Sequence, residues 1–256
     1  MVGFCRLVIL VPFAVFVTAA QELEDFRVEV TAGAWHNRAE GTLQAGPLPV
    51  ALHGDLNLQP EWSFLGKLVF KSGRRHRIVV EGGPLSYTGM NNLARSITYN
   101  GRTYAVQETV ASTADLTYVF GGYQFDLLSR PQGHFGLEAG GAYLDGSGTI
   151  RGVTSGLAAA REQQLGIPLA GAEFRVFLLP GSHLLNVNGE VKGMPLGGYG
   201  SFFLGGVNVG VGLRRVTFQA GYEYMNEDIH ENRAVNPTGI NPVVQGPVFC
   251  VQLRDR

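Results

Sequence analysis

Over long stretches of the chain, every second residue is apolar. The alternation is longest between Tyr199 and Asp228. There Phe203, Gly205, Val207, Val209, Val211 and Leu213 are followed, after a turn at Arg214–Arg215, by Val216, Phe218, Ala220, Tyr222 and Tyr224. The intervening positions hold Asn208, Gly210 and Gly212, then Thr217, Gln219, Gly221, Glu223 and Glu227. Successive side chains of a strand point to opposite faces, so this spacing makes one greasy and one polar surface across two long strands. A helix would spread both classes around its whole circumference.

The same period recurs from end to end. Phe26, Val28, Val30, Ala32 and Ala34 oppose Arg27, Glu29 and Thr31, and Trp62, Phe64, Leu68 and Phe70 oppose Ser63, Lys67 and Lys71. Further strands are expected at residues 76–88, 108–127, 164–178 and 184–194, around Phe135–Tyr143, and from Phe249 to Leu253. In 108–127 the earlier half is out of phase with the later, which predicts a bulge. The total is about ten strands, and single-chain bacterial barrels have an even number. Connections near residues 73, 131, 181 and 214 are short, and those near 48, 96, 155 and 237 are long. That alternation is the one expected when turns face the periplasm and loops face outside. Only the connection at Gly197–Gly198, on the predicted outer side, breaks it.

Aromatics gather at the strand ends. Trp35, Trp62, Tyr87, Tyr143, Tyr222 and Tyr224 are expected at the outer membrane interface, and Phe26, Phe70, Phe125, Phe135, Phe177, Phe218 and Phe249 at the turn ends. The fold class is therefore all-β: an antiparallel up-and-down transmembrane barrel, with eight or twelve strands as the other admissible counts. A soluble lipocalin-like binding barrel would point its apolar face inward, and it leaves the two aromatic bands unexplained.

Composition narrows the partners. Charged residues make up 16% of the 256 and the net charge is −1, so no basic stripe exists to hold nucleic acid. The 36 glycines fit a sheet that curves and packs side chains against backbone. Arg6, the apolar run Leu7–Val17 and the small residues Thr18–Ala19–Ala20 read as a signal peptide over 1–20, leaving one barrel domain over 21–256. Cys5 would leave with that peptide and Cys250 would remain alone. The expected partners are the lipid of the outer membrane, the barrel-insertion machinery and, if the lumen is open, small solutes; the barrel is expected to be a monomer.

The strings SGRRHRIVVE (72–81), ITYNGRTYAV (97–106), TYVFGGYQFDLL (117–128), GGAYLDGSG (140–148), EVKGMPLGGYGS (190–201) and GYEYMNED (221–228) cover most of the chain after residue 20. Together they resemble the bacterial outer-membrane β-barrel proteins of the porin-like superfamily, in particular its lone barrels. The resemblance implies a fold and a location without a known chemistry. Many members end on an aromatic residue; here the end is Leu253–Arg254–Asp255–Arg256, with Phe249 the nearest aromatic.

The polar faces carry charges of both signs. Arg27, Lys67, Arg77, Arg175 and Lys192 stand against Glu29, Glu81, Glu138, Glu173, Glu190 and Glu223. A Lys or Arg at the lipid midplane costs about 2–4 kcal/mol, so these are expected to line the lumen. They could form a conduit or a lattice of ion pairs that fills a narrow barrel, and the scaling of lumen with strand number favours the lattice. Asp228 and His230 form an Asp-x-His pair that resembles the one in omptin proteases. An omptin-like site needs a second acidic pair across the mouth, and the chain has no Asp-x-Asp; Glu108 and Asp145 are stray candidates. No cofactor is implied, and no Cys/His cluster has metal-ligand spacing.

Overall fold

A computed structural model describes residues 26–44, 48–179, 181–182, 184–195, 197, 200–231 and 238–255. The expected signal peptide lies outside the described residues. Thirteen strands follow one another: β1 (Val28–Gln44), β2 (Val50–Ala51), β3 (Glu61–Gly73), β4 (His76–Asn92), β5 (Ile97–Tyr99), β6 (Arg102–Tyr104), β7 (Thr109–Arg130), β8 (Gly133–Gly152), β9 (Ala158–Phe177), β10 (Leu185–Pro195), β11 (Gly200–Leu213), β12 (Val216–Glu231) and β13 (Thr238–Arg254). Ten of them make the barrel, each antiparallel to its sequence neighbour, and β13 pairs back onto β1 to close it. Closure gives each of the ten barrel strands two partners, although β9 extends from Leu169 back to Ala158 past the end of its β10 ladder.

Alternation sets the register. On β12, Thr217, Gln219, Met225 and Glu227 are buried inside while Phe218, Ala220 and Tyr222 face out. Val30, Phe64, Leu68, Val80, Val119, Leu137, Val191, Val207, Val209 and Val251 continue the outer surface as an apolar belt. A strand needs about 9–11 residues to cross a bilayer. β7, β8 and β9, at 22, 20 and 20 residues, therefore rise well past the membrane, whereas β10 has 11.

The long connections carry more structure than the sequence pattern predicts. β2 adds to β1 through Thr42↔Ala51 and Leu43↔Val50, and β5 and β6 form a small hairpin inside the expected 89–103 loop. Tyr104 Oη donates to the Ile150 carbonyl at 2.8 Å and Asn100 Nδ2 to that of Ala160 at 2.7 Å, so the hairpin leans on the tall β8–β9 wall. Val50, Leu52, Leu56, Leu58, Leu93 and Ile97 are buried beneath these segments as a lid on the barrel mouth.

One seam of the wall is irregular. The β3–β4 ladder runs from Gly73↔His76 to Gly66↔Gly82 and then stops, although both strands continue. Pairing resumes near the rim, where Gln59 N–H donates to the Thr88 carbonyl at 2.9 Å and Leu58 bridges Gly89. Pro60 precedes the unladdered stretch and Pro84 lies within it, and neither has an N–H to leave unsatisfied.

The expected phase break in 108–127 is absent. Val110, Ser112, Tyr118, Phe120, Gln124 and Asp126 share one buried face, and the register shift falls instead at Asp126/Leu128 against β8. The strand looked out of phase because its inward residues are apolar in the outer half of the barrel and polar in the inner half.

Candidate functional site

The interior is layered. At the turn end, Arg77 grips Asp126 through Nε at 2.9 Å and a terminal nitrogen at 2.8 Å, with both residues fully buried. Arg175 on β9 reaches Glu29 on β1 with two hydrogen bonds of 2.9 Å, and Arg254 Nε joins the same carboxylate at 2.7 Å. Phe26 lies under this layer, with the Arg77 and Arg254 guanidinium carbons 5.5 and 5.3 Å from its ring centre. Phe177 lies there too, 5.6 Å from Arg254.

The middle layer is a lattice. Lys67 Nζ on β3 contacts Glu190 at 2.5 Å, Glu173 at 3.0 Å and Glu81 at 3.5 Å. Lys192 Nζ on β10 contacts Glu81 at 2.5 Å, Glu190 at 3.1 Å and Glu138 at 3.4 Å, and it stands 4.8 Å from the centre of the Phe120 ring. These pairs join strands on opposite sides of the lumen. They leave carboxylates in excess, since two lysines serve four glutamates. Glu223, on β12, has only a 3.4 Å hydrogen bond from Asn208 Nδ2 and no ion-pair partner within 4 Å among the described residues.

The outer layer is apolar. Trp35, Leu85, Tyr87, Tyr118, Leu144, Phe202, Met225 and Val248 pack inside the wall, and Tyr118 stacks on Phe202 at 6.0 Å. Between this cluster and the lattice is a cavity of about 110 Å³. Its lining includes Glu223, Lys67 and Arg175 below and Leu65, Leu85 and Met225 above.

Of the residues expected to line the lumen, Glu29, Arg77, Glu81, Glu138, Glu173, Arg175 and Lys192 are buried within the barrel, and Lys67, Glu190 and Glu223 are half-buried there. Arg27 departs: it is exposed, before β1 begins, with its backbone N–H bonded to Asp255. Among the expected interface aromatics, Trp62, Tyr143 and Tyr222 face outward, and Tyr224 packs edge-on against the outward Phe203. Trp35 and Tyr87 do not. Both are buried inside, where Trp35 Nε1 donates to the Gly246 carbonyl at 3.1 Å and Tyr87 Oη to Asn37 Oδ1. Phe26 and Phe177 are likewise inside. Trp35 and Tyr87 serve an apolar outer lumen and Phe26 and Phe177 pack under the guanidinium layer at the turn end, so hydrophobicity alone misplaced these four. Glu227, placed on the polar face of its strand by alternation but not among the expected lumen residues, is buried as well.

Of the Asp-x-His pair, Asp228 does not face the lumen. Strand alternation puts Asp228 on the outer side of β12, half-buried and accepting a 3.4 Å hydrogen bond from Asn241 Nδ2. The side chain of His230 lies outside the described residues. Asp145 is at an outward position of β8, and Glu108 is on the loop before β7, where it accepts from the Ser155 N–H at 3.1 Å. Among the described residues no cluster of His, Cys, Asp and Glu has the geometry to hold a metal.

A closed antiparallel barrel with an apolar belt outside and ion pairs inside is a transmembrane β-barrel of the outer-membrane type. Lipid must cover that belt, and the protein is an outer-membrane barrel. No protein-family model and no curated protein sequence matches the chain. Among solved structures, the fold is similar to the outer-membrane protease OmpT from Escherichia coli, with 10% identity, a TM-score of 0.63, and 90% of this chain and 97% of that one covered. Looser likenesses include the translocator domain of the autotransporter NalP from Neisseria meningitidis, with 12% identity, a TM-score of 0.46 and 91% of each chain covered. OprG from Pseudomonas aeruginosa follows at 8% identity and a TM-score of 0.42, covering 90% of this chain and 97% of that one. At these identities the likeness concerns fold alone.

Proposed function

We propose that this is an integral outer-membrane barrel whose lumen is held shut by its own charges, a structural barrel instead of a standing pore. The observation that carries this reading is the pair of lysines, Lys67 and Lys192, each bridging carboxylates from several strands across the barrel. A ten-stranded barrel is near the size at which side chains fill the interior. Here the Arg77–Asp126 and Arg175–Glu29 pairs close the periplasmic side, and the apolar lid covers the other. The removal of residues 1–20 as a signal peptide and a monomeric state belong to the same proposal.

Planar-bilayer recording tests it directly. The wild-type protein is expected to give no steady conductance at neutral pH. Reproducible ion-selective channels that persist without substitution would sink the reading.

The protease reading needs an acid and a histidine that face a common cleft, and the outward position of Asp228 on β12 works against that. A soluble barrel would carry its charges on the outer face, where Val207, Val209, Phe218 and Val251 stand exposed instead.

A further inference from the structure

We propose that the cavity between the charge lattice and the apolar outer layer is a binding site for a small organic cation with an apolar body. The site rests on the closed-lumen reading, because the lattice that forms the cavity floor must be intact.

Three observations converge. First, the walls differ in character from floor to roof: Glu223 and the lattice form the floor, while Leu65, Leu85, Leu204 and Met225 form the roof. A ligand that is polar at one end and greasy at the other is the one such walls match. Second, the floor is short of positive charge. Lys67 and Lys192 are shared among Glu81, Glu138, Glu173 and Glu190, His134 stands beside Glu173 and Arg175 is held by Glu29, so Glu223 is the floor carboxylate with no cation within 4 Å among the described residues.

Third, the wall is shaped around the Glu223 carboxylate. Its strand partner across β11–β12 is Gly206, where a Cβ would come within 2.0 Å of Glu223 Oε2. A glycine there gives the carboxylate room to lie in the cavity, since any larger residue would drive it away. Trp35 and Tyr118 add aromatic faces, which attract organic ammonium groups more than they attract hydrated metal ions. The cavity volume of about 110 Å³ is many times the roughly 10–15 Å³ that one water requires, so a small organic molecule fits.

The chain offers a built-in reporter, because Trp35 faces the cavity and Trp62, the other of the two tryptophans, is outside at 61% exposure. In a Trp62→Phe barrel folded into phosphatidylcholine vesicles, 4-bromobenzylammonium should quench Trp35 saturably by the heavy-atom effect. The neutral isostere 4-bromobenzyl alcohol should bind about tenfold more weakly, the effect of one charge-assisted contact. Glu223→Gln should erase that difference while leaving the heat-dependent gel shift of the folded barrel unchanged. Leu204→Phe, which puts bulk into the roof, should weaken both probes.

The proposal is overturned if quenching never saturates, if the two probes bind wild type alike, or if Glu223→Gln leaves ammonium binding untouched. Conductance measured on the same preparations separates the two readings. A standing pore defeats the closed lumen whatever the probes do. A silent barrel that ignores the ammonium defeats only the site.

Discussion

Arg77 and Asp126 show how a single pair can matter to a barrel. Both are fully buried, and each satisfies the other through two nitrogens, so removing one strands a charge away from water. Arg77→Ala is expected to cost about 3–5 kcal/mol, the usual penalty for breaking a buried pair from one side. Arg77→Met combined with Asp126→Leu should recover part of it, because the apolar pair carries no stranded charge but leaves the buried Gln124 amide without the Asp126 oxygen to which it donates at 2.9 Å. Urea unfolding from vesicles, followed by tryptophan emission, measures both. A double variant no more stable than the single one would show that the pair is worth more than its geometry explains. The two partners are 49 residues apart in the chain. Their separate placement on inward faces was legible from alternation, but the pairing was not. Which inward residues share a level depends on the shear of the barrel, and shear leaves no mark on any one strand. The same blindness hid the bond from Lys67 to Glu173.

Among the elements, the lid is the part that alternation could not anticipate. It is built from short apolar runs, such as Val50–Leu58, inside connections that read as ordinary polar loops. Its pin is the Arg95–Asp55 pair, with Arg95 Nε donating to Asp55 Oδ1 at 3.0 Å and a terminal nitrogen to Oδ2. Burial pushes the Asp55 carboxyl up, but hydrogen bonds from Arg95 and the Ala51 N–H, with the charge of Arg95, together bring it below its ordinary value. A depressed carboxyl stabilises the fold above the unfolded-state value of 3.8 and loses that contribution as pH falls through the lower, folded-state value. Lid opening, read as amide exchange at Leu52–Leu58, is therefore expected to accelerate below about pH 4. Asp55→Asn should bring the same opening to neutral pH. If exchange in that variant matches wild type at pH 7, the pin is elsewhere.

At the scale of the whole molecule, the closed sheet was the most legible feature. Period-2 spacing, an even strand count and the long–short rhythm of the connections are all local signals that add up around a barrel. The charge lattice should make the folded state resist heat in detergent, so boiled and unboiled samples are expected to migrate differently on a denaturing gel. Arg175→Ala or Glu190→Ala should lower the midpoint of that conversion, since Arg175 holds Glu29 from across the lumen and Glu190 is shared by both lysines. Either variant may also be tested for a leak in planar bilayers, where a current absent from wild type is the expected sign of a loosened lattice.

The unladdered stretch between β3 and β4 gives the cylinder a preferred line of parting. Along a ladder, a tear must break consecutive bonds in a medium that offers no substitute partner, and the β3–β4 ladder is the shortest of the wall, with β9–β10, from Asn186↔Phe177 to Gly193↔Ala170, next. Between Glu61–Leu65 and Gly83–Tyr87 those bonds are already missing, and the contact is close packing, with the Phe64 carbonyl oxygen only 2.0 Å from where a Cβ on Gly83 would stand. A methyl group at that position would act as a wedge. Under mechanical load, such as pulling on the chain ends with an atomic-force tip, a Gly83→Ala barrel is expected to split at this line at lower force than wild type. The first segment released should be β3 with its lid, and not the β13–β1 junction where the chain begins and ends.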